Sequence, residues 1–179
     1  MKQERVDPGW TWTKKLNISA GVKVGDTVYL SGTVAFDSDG NIVGAGSVYE
    51  QSKQVFTNIK EALESTGASM ADVIKITTFL TDISGYGEFG RARTEAFPNR
   101  VPASAAYETS ALIKPELLVE VETIAVIGSG DYQRPVVFRR YRYNPLIECS
   151  GKTHAALTGQ MEPLRPQKIQ IALIRAEAE

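Results

Sequence analysis

The stretch from Ser47 to Gly67 constrains the fold most, because only one secondary structure accounts for its pattern. Val48, Val55, Ile59, Ala62 and Leu63 recur at helical spacing, with Lys53, Lys60 and Glu61 between them. Ser47 and Glu50 have the spacing of a capping box, and Gly67 suits the left-handed residue just past a helix end. Such a helix must lay its apolar stripe on another layer.

The flanking segments supply that layer. Val22-Lys23-Val24 reads as a short strand, Gly25-Asp26 as a tight hairpin turn, and Thr27 to Ala35 as a longer strand. Val73 to Leu80 is rich in β-branched residues and is expected to be a strand. Ser84 to Phe97 has a second helical pattern in Tyr86, Phe89, Ala92, Ala96 and Phe97. Gly85, Gly87 and Gly90 weaken its first turns, and Pro98 ends it. Ala103 to Thr109 and Leu118 to Ile127 read as two further strands. The order describes an α+β domain: one sheet, two helices on one face, and a second face left for another subunit.

Three regions follow: residues 1–15 as an irregular N-terminal segment, 16–127 as the domain, and 128–179 as a C-terminal extension. Trp10 and Trp12 in the first region are expected to cover a hydrophobic surface, with an oligomer contact as the alternative. In the last, Arg139, Arg140 and Arg142 cluster with Tyr141 and Tyr143, and four prolines break up any long element. That cluster reads as a tail packed on a subunit, with RNA contact as the alternative.

Composition narrows the chemistry. The only histidine is His154 and the only cysteine is Cys149, both in the extension. The domain therefore has no Ser-His-Asp or Cys-His nucleophile system and no His-based metal site. Carboxylates, hydroxyls, amines and backbone groups remain. Twenty basic and 21 acidic residues give a formal net charge of -1, so the whole chain lacks the footprint of a nucleic-acid binder. No apolar run approaches the roughly 18 residues of a membrane span. The charged start has no signal-peptide pattern, and a single cysteine suits a reducing compartment, so a cytoplasmic protein is expected.

Alternate residues of a strand share a face. Leu118, Glu120, Glu122, Ile124 and Val126 therefore lie on one side of the last strand, with two carboxylates interrupting an apolar row. A carboxylate there is either ion-paired or borders a polar cleft, where it can accept a proton or hold a water.

Several motifs in order carry a resemblance. Val22-Lys23-Val24-Gly25-Asp26 followed by Val28-Tyr29-Leu30-Ser31-Gly32, the helix from Gln51 to Gly67, Asp72 to Asp82, Pro102-Ala103-Ser104, and Leu118 to Val126 resemble the RidA (YjgF/YER057c/UK114) family over residues 16 to 127. The resemblance implies a chorismate-mutase-like fold and a homotrimeric barrel with small-molecule clefts between subunits. It implies hydrolysis of reactive enamines and imines to keto acids and ammonia, with no metal or organic cofactor. It also implies a pocket built from a glutamate, an arginine, a tyrosine and an asparagine.

Residue by residue, Glu120 matches the glutamate that positions or activates water. The arginine position, after Pro102-Ala103, holds Ser104. The tyrosine position corresponds to Ile18 and the asparagine position to Gly90. Ser31 and Gly32 of the opening motif complete the expected pocket. Ser104 cannot replace the charge or planar fork of an arginine. Arg91, Arg93 and Arg100 are the neighbouring cations, for which solvated positions are the simpler expectation.

The leading expectation is a cofactor-free hydrolase of small C=N substrates with altered substrate choice. The alternatives are a non-catalytic small-molecule-binding trimer and, less favoured, RNA cleavage or translation inhibition.

Overall fold

The computed structural model describes residues 2–131. The 139–143 cluster, Cys149, His154 and nearly all of the extension lie outside the described residues. The elements are β1 (Gln3–Val6), α1 (Thr11–Lys15), β2 (Gly21–Val24), β3 (Thr27–Val34), α2 (Val48–Glu64), β4 (Val73–Leu80), α3 (Tyr86–Ala96), β5 (Ala103–Glu108) and β6 (Val119–Val126). They form one six-stranded sheet in the order β1-β2-β3-β6-β4-β5. The β4–β5 pair is parallel and the others are antiparallel, as a mixed α+β sheet requires.

β6 lies inside the sheet, paired to β3 on one side and β4 on the other. Its odd-numbered residues Val119, Val121, Thr123 and Ala125 are buried, together with Val28 and Leu30 of β3 and Ile76, Thr78 and Leu80 of β4. α2 packs on this face, placing Val55, Ile59, Ala62 and Leu63 against it. α3 packs beside α2, with Phe89 against Phe56 at 5.7 Å between ring centroids. On the opposite face Glu122 and Tyr107 are exposed and Phe79 stacks on Tyr107.

Local chemistry sets the helix ends. The Ser47 hydroxyl accepts the Glu50 backbone N–H at 3.2 Å. The return half of the expected box is replaced by an ion pair, Glu50 to Lys53 at 3.4 Å. At the other end Gly67 has φ +82°, while Ala68 N–H reaches Leu63 O and Gly67 N–H reaches Glu64 O, a Schellman closure.

The expected irregular segment over 1–15 is corrected. Residues 3–6 pair with β2 and residues 11–15 are helical. Gln3-Glu4-Arg5 carries no apolar alternation, and only Val6 of this strand is buried, so the backbone ladder rather than a side-chain pattern holds it. Trp10 and Trp12, expected to cover a hydrophobic surface, are themselves buried in the core. They stack at 5.2 Å, and Trp12 meets Phe36 edge-on.

Gln51 ties α2 to the approach of β6. Fully buried, it donates from Nε2 to Glu116 O at 2.8 Å and accepts Leu118 N–H at 2.8 Å. Replacing Gln51 by Leu leaves both backbone groups unpaired in the interior. Urea denaturation should show Gln51→Leu less stable by roughly 2–4 kcal/mol. A loss under about 0.5 kcal/mol, the scale of an unremarkable surface change, would mean that water satisfies both groups.

Candidate functional site

A β-bulge prepares the site. Leu30 faces Thr123 and Thr33 faces Val121, so Ser31 and Gly32 together stand opposite the single Glu122. The ladder resumes with Val34 opposite Glu120, whose other neighbour is Phe79 of β4. Gly32 is thereby brought against the Glu120 side chain. A Cβ at Gly32 would collide with Glu120 Oε1 and stand 2.7 Å from its carboxyl carbon. Glycine is needed here for space, not for an unusual backbone angle.

A pocket of about 250 Å³ opens over this point. Ser31, Gly32 and Glu120 supply its polar part, and Trp12, Leu16, Ile18 and Ile113 are among its apolar walls. Glu120 is half-buried, and its carboxylate makes no hydrogen bond or ion pair with the described residues. Burial pushes its carboxyl above the ordinary glutamate range, and the Glu122 charge on the same face adds to this. Within this one chain Glu120 borders the pocket and meets no cation among the described residues.

The α1 turn places the walls. Asn17 has φ +52°, and Ile18 N–H reaches Thr13 O while Asn17 N–H reaches Lys14 O. This is a second Schellman closure with Asn in the left-handed position, a role asparagine fills better than most residues. It turns the chain so that Leu16 and Ile18 both border the pocket. Arg5 holds the turn by donating to Ile18 O at 2.7 Å. The Ser31 hydroxyl donates to Ser19 O at 2.9 Å, leaving its oxygen able to accept.

Four of the six nominated residues, Ile18, Ser31, Gly32 and Glu120, therefore come together. Ser104 and Gly90 do not join them. Ser104 pairs with Ile76, which pairs with Thr123, so Ser104 projects on the helix side of the sheet. There its hydroxyl oxygen accepts from Arg93 Nη1 at 3.1 Å. Glu120 is three residues from Thr123 and projects on the other face. One small molecule cannot touch both on a single chain.

Trp12, Leu16 and Ile113 were not nominated from the sequence. Ile113 lies in the Pro115-containing connection between strands, where no periodicity assigns a face. Among the described residues no group of three or more His, Cys, Asp or Glu side chains gathers as a metal site. None of the helices there is long and apolar enough to cross a membrane.

The fold defines a class: small α+β proteins in which one mixed sheet carries two helices on one face. The family model of endoribonuclease L-PSP matches residues 14–127, and the chain belongs to that family, which includes the RidA/YjgF proteins. A RutC family protein from Pyrococcus abyssi is 36% identical over 107 residues, covering 60% of this chain and 84% of its own. RidA from the Antarctic bacterium Psychrobacter sp. superposes with a TM-score of 0.57 at 37% identity, over 61% of this chain and 87% of that one. A YjgF/YER057c/UK114 family member from Mycobacterium tuberculosis gives a TM-score of 0.60 at 30% identity, covering 70% of this chain and all of its own, 100%. The mixed sheet with its few helices matches the chorismate-mutase-like fold of these neighbours.

Two predictions follow from the glutamate's setting. Gly32→Ala should push the Glu120 carboxylate out of its seat while costing little stability, because the first atom displaced is the far end of a flexible side chain. A crystal structure of the variant should show a changed Glu120 rotamer; an unmoved carboxylate would refute the steric account. Second, because the folded-state Glu120 pKa is raised, ionising it costs more in the folded chain than in the unfolded one. Glu120→Gln should therefore melt higher than wild type at pH 7, and the difference should shrink as pH falls through the ordinary value of 4.5. A gap that persists unchanged at pH 3 would contradict this.

Proposed function

We propose that this chain is a cofactor-free hydrolase of small enamines or imines, with Glu120 activating the attacking water. The observation that carries the reading is the Glu120 carboxylate: half-buried, unpartnered among the described residues, and facing a pocket rather than an ion pair. A base whose pKa is raised toward neutrality removes a proton more effectively than an ordinary surface glutamate.

In this reading an enamine is first protonated at carbon to give the iminium ion. Glu120 takes a proton from water as the oxygen bonds to the iminium carbon, and the C=N π electrons move to nitrogen. Nitrogen is protonated, the carbinolamine collapses to a carbonyl with loss of its hydroxyl proton, and ammonia leaves. The apolar walls formed by Leu16, Ile18 and Ile113 accommodate the hydrocarbon part of the substrate and keep bulk water from competing.

The reading includes assembly. Ser104 and Glu120 lie on opposite faces of one sheet, so residues of both clusters can share a substrate only where two copies meet. A homotrimer with inter-subunit clefts, typical of the family, would bring them together. The uncovered sheet face, with Tyr29 46% and Tyr107 56% exposed, gives such an assembly apolar surface to bury. A cytoplasmic location belongs to the same reading and is supported by the single cysteine.

The experiment is ammonia and keto-acid release from imines generated in situ by an amino-acid oxidase. Glu120→Gln should lower turnover by about 10²-fold or more if Glu120 is the general base. The acid limb of the wild-type pH profile should lie above the ordinary glutamate range and vanish in the variant. Unchanged turnover in Glu120→Gln would remove Glu120 from the chemistry. Silence of the wild type across the imine panel would favour a non-catalytic small-molecule-binding trimer.

A further inference from the structure

The Glu120 pocket carries one sign of charge. Glu120 is the only ionisable side chain on its wall, and no lysine, arginine or histidine lines it. Two cations touch residues of the wall without lining it. Arg5 donates to Ile18 O at 2.7 Å, and the Lys114 ammonium lies 5.2 Å from the centroid of the Phe36 ring. Neither pairs with Glu120. Lys14 and Lys15, at the end of α1, are exposed. On the neighbouring strands Val34 and Phe79 stand opposite Glu120, and Lys75 lies farther along β4, opposite Ile124. The charge that does act on Glu120 is that of Glu122, a second carboxylate on the same face. Ser104 and the Arg93 guanidinium bonded to it lie across the sheet in the same chain.

The polar side chains of the pocket are acceptors. The Ser31 hydroxyl gives its hydrogen to Ser19 O, so only its oxygen remains to bind. An ionised carboxylate accepts and cannot donate. The rest of the wall is hydrocarbon and aromatic ring, from Trp12, Phe36, Leu16, Ile18, Val34 and Ile113. The volume of about 250 Å³ lies below the roughly 300–1,000 Å³ of drug-sized sites, so the occupant is small.

A substrate with its own carboxylate would set a further negative charge beside Glu120, with no cation of the wall to receive it. An iminium ion fits both features of the pocket. Its N–H groups meet the two acceptors, and its charge pairs with the carboxylate. Its carbon substituents lie against the apolar walls, where aromatic rings also favour a cation.

We propose that the Glu120 pocket selects a small alkyl or aryl iminium ion that carries no carboxylate. Oxidation of a primary amine by an amine oxidase supplies such ions. The C–H and N–H hydrogens pass with two electrons to dioxygen, giving the imine and hydrogen peroxide, and the imine takes up a proton. Water then adds to the iminium carbon, the C–N bond breaks, and the products are an aldehyde or ketone and ammonium. That the ion is hydrolysed rests on the hydrolase reading above; the preference of the pocket for a cation does not.

The first arm of the test is binding, measured by calorimetry on the full chain at pH 7. The probes are 3-methylbutanamidine, planar and cationic at this pH, and 3-methylbutanoate, which has the same skeleton and the opposite charge. The amidinium should bind about tenfold or more tighter than the carboxylate. Glu120→Gln should weaken amidinium binding about tenfold or more, the loss expected for a charge-assisted contact. Wild-type affinity for the amidinium should fall as pH drops through the raised Glu120 pKa, because the neutral acid no longer pairs with a cation. Equal or tighter binding of the carboxylate would overturn the proposal, as would an amidinium affinity unchanged in Glu120→Gln. Carboxylate binding that disappears in Arg5→Met, Arg93→Met or Lys114→Met would overturn it too, by identifying a cation that serves the pocket. The second arm is turnover. Ammonia release should be accelerated more for the imine that an amine oxidase makes from 2-methylpropylamine than for the imine that an amino-acid oxidase makes from valine, the same skeleton with a carboxylate. A larger acceleration for the valine-derived imine would overturn the proposal and keep the hydrolase reading. Cation-selective binding in a protein that accelerates neither would uphold the selectivity and overturn the hydrolase reading.

Discussion

β6 is hydrogen-bonded along both edges, to β3 and to β4, and its two faces meet opposite environments. Its odd-numbered residues are sealed under α2, and its even-numbered residues look away. A slip of one residue would bury Glu120 and Glu122 beneath the helices and expose Val119 and Val121. The cost of burying two unpaired carboxylates therefore locks the register. The same register then decides which face presents Glu120, where the bulge must fall, and which side Ser104 takes. The position of the candidate chemistry is a consequence of how the core packs.

Within that frame the bulge converts a strand residue into a site. In an unbroken ladder β3 would place one residue opposite Glu122. Two residues stand there instead, and Gly32 leaves room for the glutamate to sit close to the backbone. The carboxylate is half removed from solvent without being given a cation. That combination raises its pKa, and it is the opposite of a structural ion pair, where a neighbouring cation would lower it.

Strong periodicity made much of this legible in the sequence. α2 and β6 carry helical and two-residue patterns and β4 a run of β-branched residues, and the helix and strand boundaries read from them agree closely with those observed. The carboxylate row of β6 followed from alternation alone. The N-terminal segment did not, because Gln3-Glu4-Arg5 joins the sheet through backbone pairing and its side chains record nothing of it. Trp10 and Trp12 were visible as an aromatic pair, yet their burial depends on Phe36 and on Glu61, which accepts the Trp10 indole N–H at 3.0 Å. Contacts 51 residues apart leave no local pattern. Ile113 joins the pocket for the same long-range reason.

Ser104 and Arg93 are coupled by one hydrogen bond across the edge between α3 and β5. Read along the sequence, Ser104 is a loss: a small hydroxyl where the family resemblance expects a fork-shaped cation. Read in space, that hydroxyl supports an arginine from the neighbouring helix, eleven residues earlier in the chain. A cation reaching from α3 rather than from β5 approaches from the helix side, steadied by the Tyr86 ring and hydroxyl. An arginine at position 104 would crowd Arg93 with a like charge, whereas a serine offers it an acceptor. Serine at one position and arginine at the other are therefore mutually consistent.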